Sequence, residues 1–338
     1  MRAAVYRGER TVVVEDVAVP SPEAGQVLVQ ISHCGICGTD LHLMMEDWGW
    51  PGFTGGHEYS GVVVSVGEDV TGWSVGDRVV GGPRPGCGNC PPCLSGSSNL
   101  CTARAGPGRA PAARGAFAEY KVLDGDALYG IPDDMDLRTA ALTEPVAVAL
   151  RGVRRSGIGP RSRALVTGAG PIGLFTVAVL ASIGVTAVTV SEPSPLRREL
   201  AQKIGASTVV SPDELQQLTS AVDLVAEPFQ AAFECSGRAE AVEAALAHLD
   251  KAGTLILSGT GMVRPGLDVN RVILHELSIA GTVEYTPDDF RAALELLASH
   301  RLPTDLLIEP DDLNLDGLRA GMQRLMAGEL AGKVMVVP

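Results

Sequence analysis

Short β-branched runs set off by glycine and proline dominate the first 145 or so residues. Val12–Val14, Val27–Ile31, Gly61–Val66 and Ala116–Val122 are of this kind, and each predicts a strand. Near Pro145 the pattern changes. From there to about residue 280, apolar strands alternate with helical stretches, the signature of βαβ units on a parallel sheet. The predicted strands are Arg163–Thr167, Thr186–Ser191, Ala231–Cys235, Gly253–Ser258 and Leu277–Ala280, with helices over Pro171–Ile183, Leu196–Ile204 and Ala239–Leu249 between them. An amphipathic helix over Pro287–His300 follows, and a closing strand, Lys333–Val337, is placed to pair back onto the first part.

Composition agrees with two globular domains. The chain has 338 residues, 46% of them hydrophobic and 20% charged. A formal net charge of −13 argues against nucleic acid, whose phosphates call for basic patches. No apolar run reaches the length of a membrane span, and Met1 leads directly into a strand-like segment rather than a leader. A Gly/Pro/Arg/Ala-rich stretch at 104–115 is the one biased segment.

Seven cysteines are present, and four of them crowd into residues 87–101. An odd number so clustered suits metal ligation better than a disulfide framework, and points to a reducing cytoplasm. Cys87, Cys90, Cys93 and Cys101 spell C-x2-C-x2-C-x7-C. Four thiolates satisfy a closed tetrahedral zinc site. An iron–sulfur cluster also uses four thiolates, but the nearest cluster spacing has three residues before a final Cys-Pro, which is absent here.

Gly168, Gly170 and Gly173 form G-x-G-x-x-G between a predicted strand and a predicted helix. The first glycine permits a tight turn, the second lets amides approach a pyrophosphate, and the third lets helix and strand pack closely. Pro171 and Ile172 open the helix whose N-terminus would face the phosphates. Glu192 ends the next strand, where a carboxylate can accept from both ribose hydroxyls and repel a 2′-phosphate. That favours NAD over NADP, although Arg197 and Arg198 follow and could stack on adenine or attract a phosphate.

Gly35–His42 and Gly55–Glu58 bring a third set of donors. Cys37, His57 and Glu58 supply the thiolate, imidazole and carboxylate that a reactive zinc uses when one position stays open. Glu144, in Thr143-Glu144-Pro145, lies at the expected domain junction, and Asp40 reads as a brace for its loop. Residues 43–53, with two Met, two Trp and one Phe, either line the entrance to a pocket or pack against the neighbouring domain. Cys34 and Cys235 read as buried thiols.

On these motifs the chain resembles the zinc-containing medium-chain dehydrogenase/reductase family, nearest its sorbitol, butanediol and threonine dehydrogenase branches. The resemblance implies an α/β fold, a doubly wound Rossmann domain over 146–280 and a β-rich GroES-like catalytic domain over 1–145 completed by 281–338. It implies two zinc ions per chain. Cys37, His57 and Glu58 match reactive-zinc positions, Glu144 a carboxylate that binds the ion directly or through water, and the four clustered cysteines the structural site. Thr39 and His42 match a proton relay. The implied activity is hydride transfer between a secondary alcohol or polyol and its ketone, with NAD in preference to NADP, in a cytoplasmic homodimer or homotetramer pairing near Gly281–Tyr285. Two alternatives stand beside it. One is a carbonyl reductase of the same fold using NADPH. The other is a non-catalytic zinc-binding relative, which would be expected to have lost Cys37, His57 or the glycine motif.

Overall fold

The computed structural model describes residues 1–83, 86–103 and 115–338. The biased stretch at 104–115 lies, apart from Gly115, outside the described residues. The chain divides into two compact units, Met1–Glu144 with Tyr285–Ser299 and Ile308–Pro338, and Pro145–Glu284 with His300–Leu307.

In the first unit, β1 (Arg2–Gly8) and β2 (Thr11–Asp16) form an antiparallel hairpin. The long strand β3 (Gln26–Gly35) organises the rest. It leads to the helix α1 (Gly38–Met45) and pairs antiparallel with β4 (Glu58–Val66). β5 (Arg78–Gly81) continues the sheet beyond β4. On its other edge β3 takes two partners in turn. β6 (Tyr120–Asp124) pairs with Gln26–Gln30, and the strand Met335–Val337 pairs with Cys34 and Gly35. β7 (Leu128–Gly130) and the strand Leu313–Asn314 close the two ends of the sheet. Alternation along β3 buries Val27, Val29 and Ile31 in one core with Tyr6, Val63, Val79 and Phe117.

The expected return of the closing strand is observed. The expected strand over Ala116–Val122 is shifted. Ala116–Ala118 are fully buried and reach β1 through single bonds and one bridge, while the ladder with β3 occupies Tyr120–Asp124.

The second unit carries a six-stranded parallel sheet. Its strands are β8 (Arg163–Thr167), β9 (Ala187–Ser191), β10 (Thr208–Val210), β11 (Phe229–Glu234), β12 (Leu249–Leu257) and β13 (Ser278–Gly281). Their spatial order is β10-β9-β8-β11-β12-β13, the doubly wound arrangement whose order reverses between β8 and β11. The helix Pro171–Ser182 leaves β8 with apolar residues on every side and is buried from Gly173 to Leu180. No helix among the described residues is long and apolar enough to cross a membrane.

The helix expected to run through Leu249 ends at Ala247, and Leu249 instead pairs with Phe229 as the first residue of β12. Leu249 is fully buried, so its apolar character fits a helix or a strand equally. The backbone decides it. Ala252 turns left-handed, with φ 59°, and the ladder resumes at Thr254 opposite Ala231.

Candidate functional site

Cys37, His57 and Glu58, the expected reactive-zinc donors, meet where three strands converge on Gly35. Glu58, the first residue of β4, lies opposite Gly35, and Met335 pairs with Gly35 from the other side. Gly35 makes room for a buried carboxylate, because a Cβ there would stand 2.2 Å from Glu58 Oε2. Glu58 is fully buried. Its Oε1 accepts from Lys333 Nζ at 2.7 Å, and the same ammonium donates to Ile36 O at 3.0 Å. Lys333 is itself 1% exposed. Glu58 Oε2 has no hydrogen-bond partner.

Cys37, His57 and Glu58 each present a ligand atom, all within 4.8 Å of one another. Asp40 holds the two loops that carry them. Its buried carboxylate accepts from Cys37 N and from Gly56 N, each at 3.0 Å, and Oδ1 lies 3.8 Å from His57 Nδ1. Asp40 is therefore the brace that the sequence suggested. Burial raises its carboxyl, opposed by His57 and the two amides.

Glu144 stands beside this trio rather than within it. It lies in the first turn of the helix Thr143–Ser156 and is absent from the set of mutually close ligand atoms. Burial pushes its carboxyl up to about 7, with Glu58 adding to the rise while His57, Lys333 and a hydrogen bond from Tyr285 pull it down. Tyr285 is 8% exposed and packs on Phe290 at 5.3 Å between ring centroids, so the hydroxyl that orients Glu144 is itself fixed.

These side chains suit a divalent cation on charge as well as distance. The Cys37 thiolate and the Glu58 and Glu144 carboxylates, with buried Asp40 beside them, bring more negative charge when ionised than the single ammonium of Lys333 offsets, an excess that a divalent cation would reduce. A cation would also meet the orphaned Glu58 oxygen, which otherwise carries the cost of burial without a donor.

On α1, Thr39 Oγ1 lies 3.7 Å from Cys37 Sγ, and His42 sits three residues further along the same helix. Part of the stretch 43–53 packs into the core of its own unit. Met44 and Met45 are buried in the core beneath α1, and Phe53 packs against that core and against Trp50. Trp48, 45% exposed, instead stacks on His42.

The four-cysteine lobe is complete. Sγ atoms of Cys87, Cys90, Cys93 and Cys101 all lie within 4.8 Å of one another, and a Cβ on Gly86 would stand 2.4 Å from Cys93 Sγ. Backbone amides of Cys93 and Thr102 hold the Cys90 thiol at about 6, and the Cys87 amide lowers Cys101. Burial pushes Cys93 up to about 11. Four sulfurs around one point, some already favouring the thiolate, fit a structural zinc with no open position.

The glycine loop occupies the C-terminal edge of the parallel sheet, at its switch point. Gly168, with φ 92°, turns the chain from β8 into the loop, and a Cβ on it would meet Ser236 at 2.8 Å. A Cβ on Gly173 would stand 2.0 Å from Gly168 O, so the third glycine permits the close packing expected of it. Gly170 faces open space. Pro171 and Ile172 form the first turn of the following helix.

Glu192 is 4% exposed, and each of its oxygens accepts one backbone amide, Ala169 N at 2.8 Å and Ser194 N at 2.9 Å. It therefore shapes the glycine loop. Arg197 lies in the first turn of the next helix, and Arg198 turns back to the carbonyls of Glu192 and Pro193.

Lys333 and Glu234 escaped the sequence reading. Lys333 stood unremarked inside a predicted strand. Glu234 is fully buried, and its Oε1 gathers Ser236 N, Ser236 Oγ and Gly237 N at 2.5–2.9 Å beside Gly168. The Glu-Cys-Ser-Gly run that begins at the last residue of β11 was its available signal. Cys34 is fully buried. Cys235 is only partly so, with its thiol raised to about 12 chiefly by burial.

Known proteins share this plan over the whole chain. Residues 23–133 match the alcohol dehydrogenase GroES-like domain, and residues 171–299 match the zinc-binding dehydrogenase family. A 2-dehydro-3-deoxy-L-galactonate 5-dehydrogenase of Pseudoalteromonas atlantica is 33% identical, over 96% of this chain and 98% of its own. A sorbitol dehydrogenase of Bacillus subtilis is 32% identical, over 100% of this chain and 97% of its own. Among solved structures, a zinc-binding dehydrogenase of Sinorhizobium meliloti bound to NADP superposes with a TM-score of 0.87 at 31% identity, covering 100% of this chain and 99% of that one. The chain belongs to the zinc-binding dehydrogenases, oxidoreductases that join an alcohol dehydrogenase GroES-like domain to a Rossmann-type cofactor domain.

Proposed function

We propose that the protein is a two-zinc dehydrogenase that interconverts a secondary alcohol or polyol and its ketone, using NAD in preference to NADP. The observation that carries this reading is the convergence of ligand atoms of Cys37, His57 and Glu58 within 4.8 Å of one another, with Glu58 Oε2 buried and lacking a hydrogen-bond partner. When bound, zinc supplies Lewis acidity at the substrate oxygen and the dinucleotide takes or returns the hydride.

The chain's own residues divide the remaining work. Cys37, His57 and Glu58 hold the reactive ion, with Glu144 facing it directly or through water. Cys87, Cys90, Cys93 and Cys101 hold the structural one. Thr39 receives the alcohol proton, and His42 passes it toward solvent. The loop Gly168–Gly173 cradles the pyrophosphate, while Glu192 and Arg197 flank the adenosine end.

Preference for NAD rests on Glu192, whose charge at the end of β9 disfavours a 2′-phosphate. The NADP bound by the Sinorhizobium meliloti relative makes the comparison worth measuring directly. The chain acts as a homo-oligomer in the cytoplasm. Ile279 on β13 and Ile273, Leu274 and Val283 near it are 37%, 65%, 55% and 55% exposed, an apolar edge suited to a second copy.

A panel of secondary alcohols, polyols and ketones assayed with both cofactors, alongside metal analysis, tests the assignment. Two zinc ions per chain and turnover of at least one alcohol–ketone pair, faster with NAD, are expected. One ion or none, or no turnover with either cofactor, overturns it.

A further inference from the structure

His42 is held by more than its helix. Its Nδ1 lies 2.8 Å from Glu46 Oε2, one helical turn along, and its ring stacks on Trp48 with centroids 4.7 Å apart and planes 14° from parallel. The loop that brings these partners together is closely specified. Trp48 N donates to His42 O at 3.2 Å, and Gly49 N donates to Leu43 O at 2.9 Å. A Cβ on Gly49 would stand 2.7 Å from that same carbonyl. Asp47 adopts a left-handed φ of 61°, and its Oδ1 accepts from Tyr6 Oη at 2.6 Å and from Arg10 N at 2.7 Å, which ties the loop to the first hairpin.

An ionised carboxylate only accepts hydrogen bonds. A neutral His42 bonded to Glu46 must therefore carry its proton on Nδ1, and its Nε2 is left as an acceptor. Free histidine in water favours the opposite tautomer, with the proton on Nε2. We propose that Glu46 and Trp48 are positioning residues that prepare His42 to take up a proton through Nε2, the carboxylate by selecting the tautomer and the indole by fixing the ring plane. The inference rests on the reading of His42 as the outlet of the proton relay. In alcohol oxidation the hydroxyl proton passes by way of Thr39 to Nε2. The imidazolium then carries a proton on each nitrogen, and Nε2–H releases its proton to water. The hydride travels separately to the dinucleotide, so charge and electrons balance.

Zinc-loaded enzyme labelled with nitrogen-15 in its histidines supplies a readout independent of turnover. Long-range proton–nitrogen correlation distinguishes the tautomers, and the His42 signals are identified by their loss in His42→Gln. At a pH where the ring is neutral, the wild type is expected to show Nδ1 protonated and Glu46→Leu to show Nε2 protonated. Single-turnover cofactor reduction should slow about tenfold in Glu46→Leu and by a similar factor in His42→Gln. The double variant should lose little more, with substrate KM within about twofold throughout. Trp48→Leu should keep the tautomer and slow turnover by a smaller factor. An Nε2-protonated wild type, or a tautomer unchanged by Glu46→Leu, overturns the proposal. Full activity in His42→Gln overturns the relay reading instead, and the tautomer measurement still shows whether Glu46 controls the ring.

Discussion

Glu58 and Lys333 are 275 positions apart in the chain, yet Glu58 Oε1 accepts a hydrogen bond from Lys333 Nζ at 2.7 Å with both side chains almost wholly buried. Removing one partner of such a pair leaves an uncompensated charge in the interior. Lys333→Met is expected to destabilise the protein by about 3–5 kcal/mol, read as a lower midpoint in denaturant unfolding of the zinc-loaded enzyme. The double variant Lys333→Met/Glu58→Gln should recover part of that loss. A single variant as stable as the wild type would show that the pair carries no such weight.

Gly35 sets up a second test of the same corner. Its missing Cβ leaves the space that Glu58 Oε2 occupies, 2.2 Å from where a methyl would stand. Gly35→Ala is expected to displace the carboxylate and lower zinc from two ions per chain to one, with the four-cysteine site still filled. Atomic absorption on dialysed protein decides it, and two retained ions would count against the role given to Gly35.

Cys90→Ser probes the other ion. A serine hydroxyl is a poor substitute for a thiolate ligand, so this variant should lose the structural zinc and keep the reactive one. Rapid proteolysis confined to the lobe around residues 86–103 would accompany the loss. Unchanged metal content would remove Cys90 from the ligand set.

The three glycines of the cofactor loop should separate in their effects. Gly170 faces open space, so Gly170→Ala is expected to fold normally and weaken NAD about tenfold by crowding the pyrophosphate. Gly173→Ala drives a methyl to 2.0 Å from Gly168 O and should both lower the melting temperature and abolish measurable NAD binding. Fluorescence titration with NADH and thermal unfolding give the two readouts. Equal behaviour of the two variants would be inconsistent with this geometry.

How much of this was legible in the sequence depended on how local the signal was. The four cysteines and the glycine motif each fall within fifteen residues; spacing alone carries the first, while the second also needs the strand and helix predicted on either side of it. The doubly wound sheet followed from strand–helix alternation, and its strand ends erred where an apolar residue such as Leu249 satisfies either state. Cys37, His57 and Glu58 needed the family resemblance to be joined, because no period in the sequence links residues 37 and 57. Lys333 had no signal. A lysine beside a strand reads as a solvated end, and only the pairing of Met335 with Gly35 brings it to Glu58. Glu46 and Trp48 were hidden for a related reason, since their positions depend on a loop that turns back at Asp47 and Gly49.

The route of the chain through its two units bears on how the enzyme is made. The first unit is interrupted by the second, and its central strand lacks its last partner until residues 335–337 exist. During synthesis from the N-terminus, Glu58 emerges long before the ammonium that neutralises it, while the four-cysteine lobe is whole by residue 101. On the proposed ligand assignment, the four cysteines of the structural site are all present by residue 101, whereas the reactive site waits for Lys333. A chain stalled in between would leave one side of β3 unpaired at Cys34 and Gly35, an open sheet edge prone to aggregation.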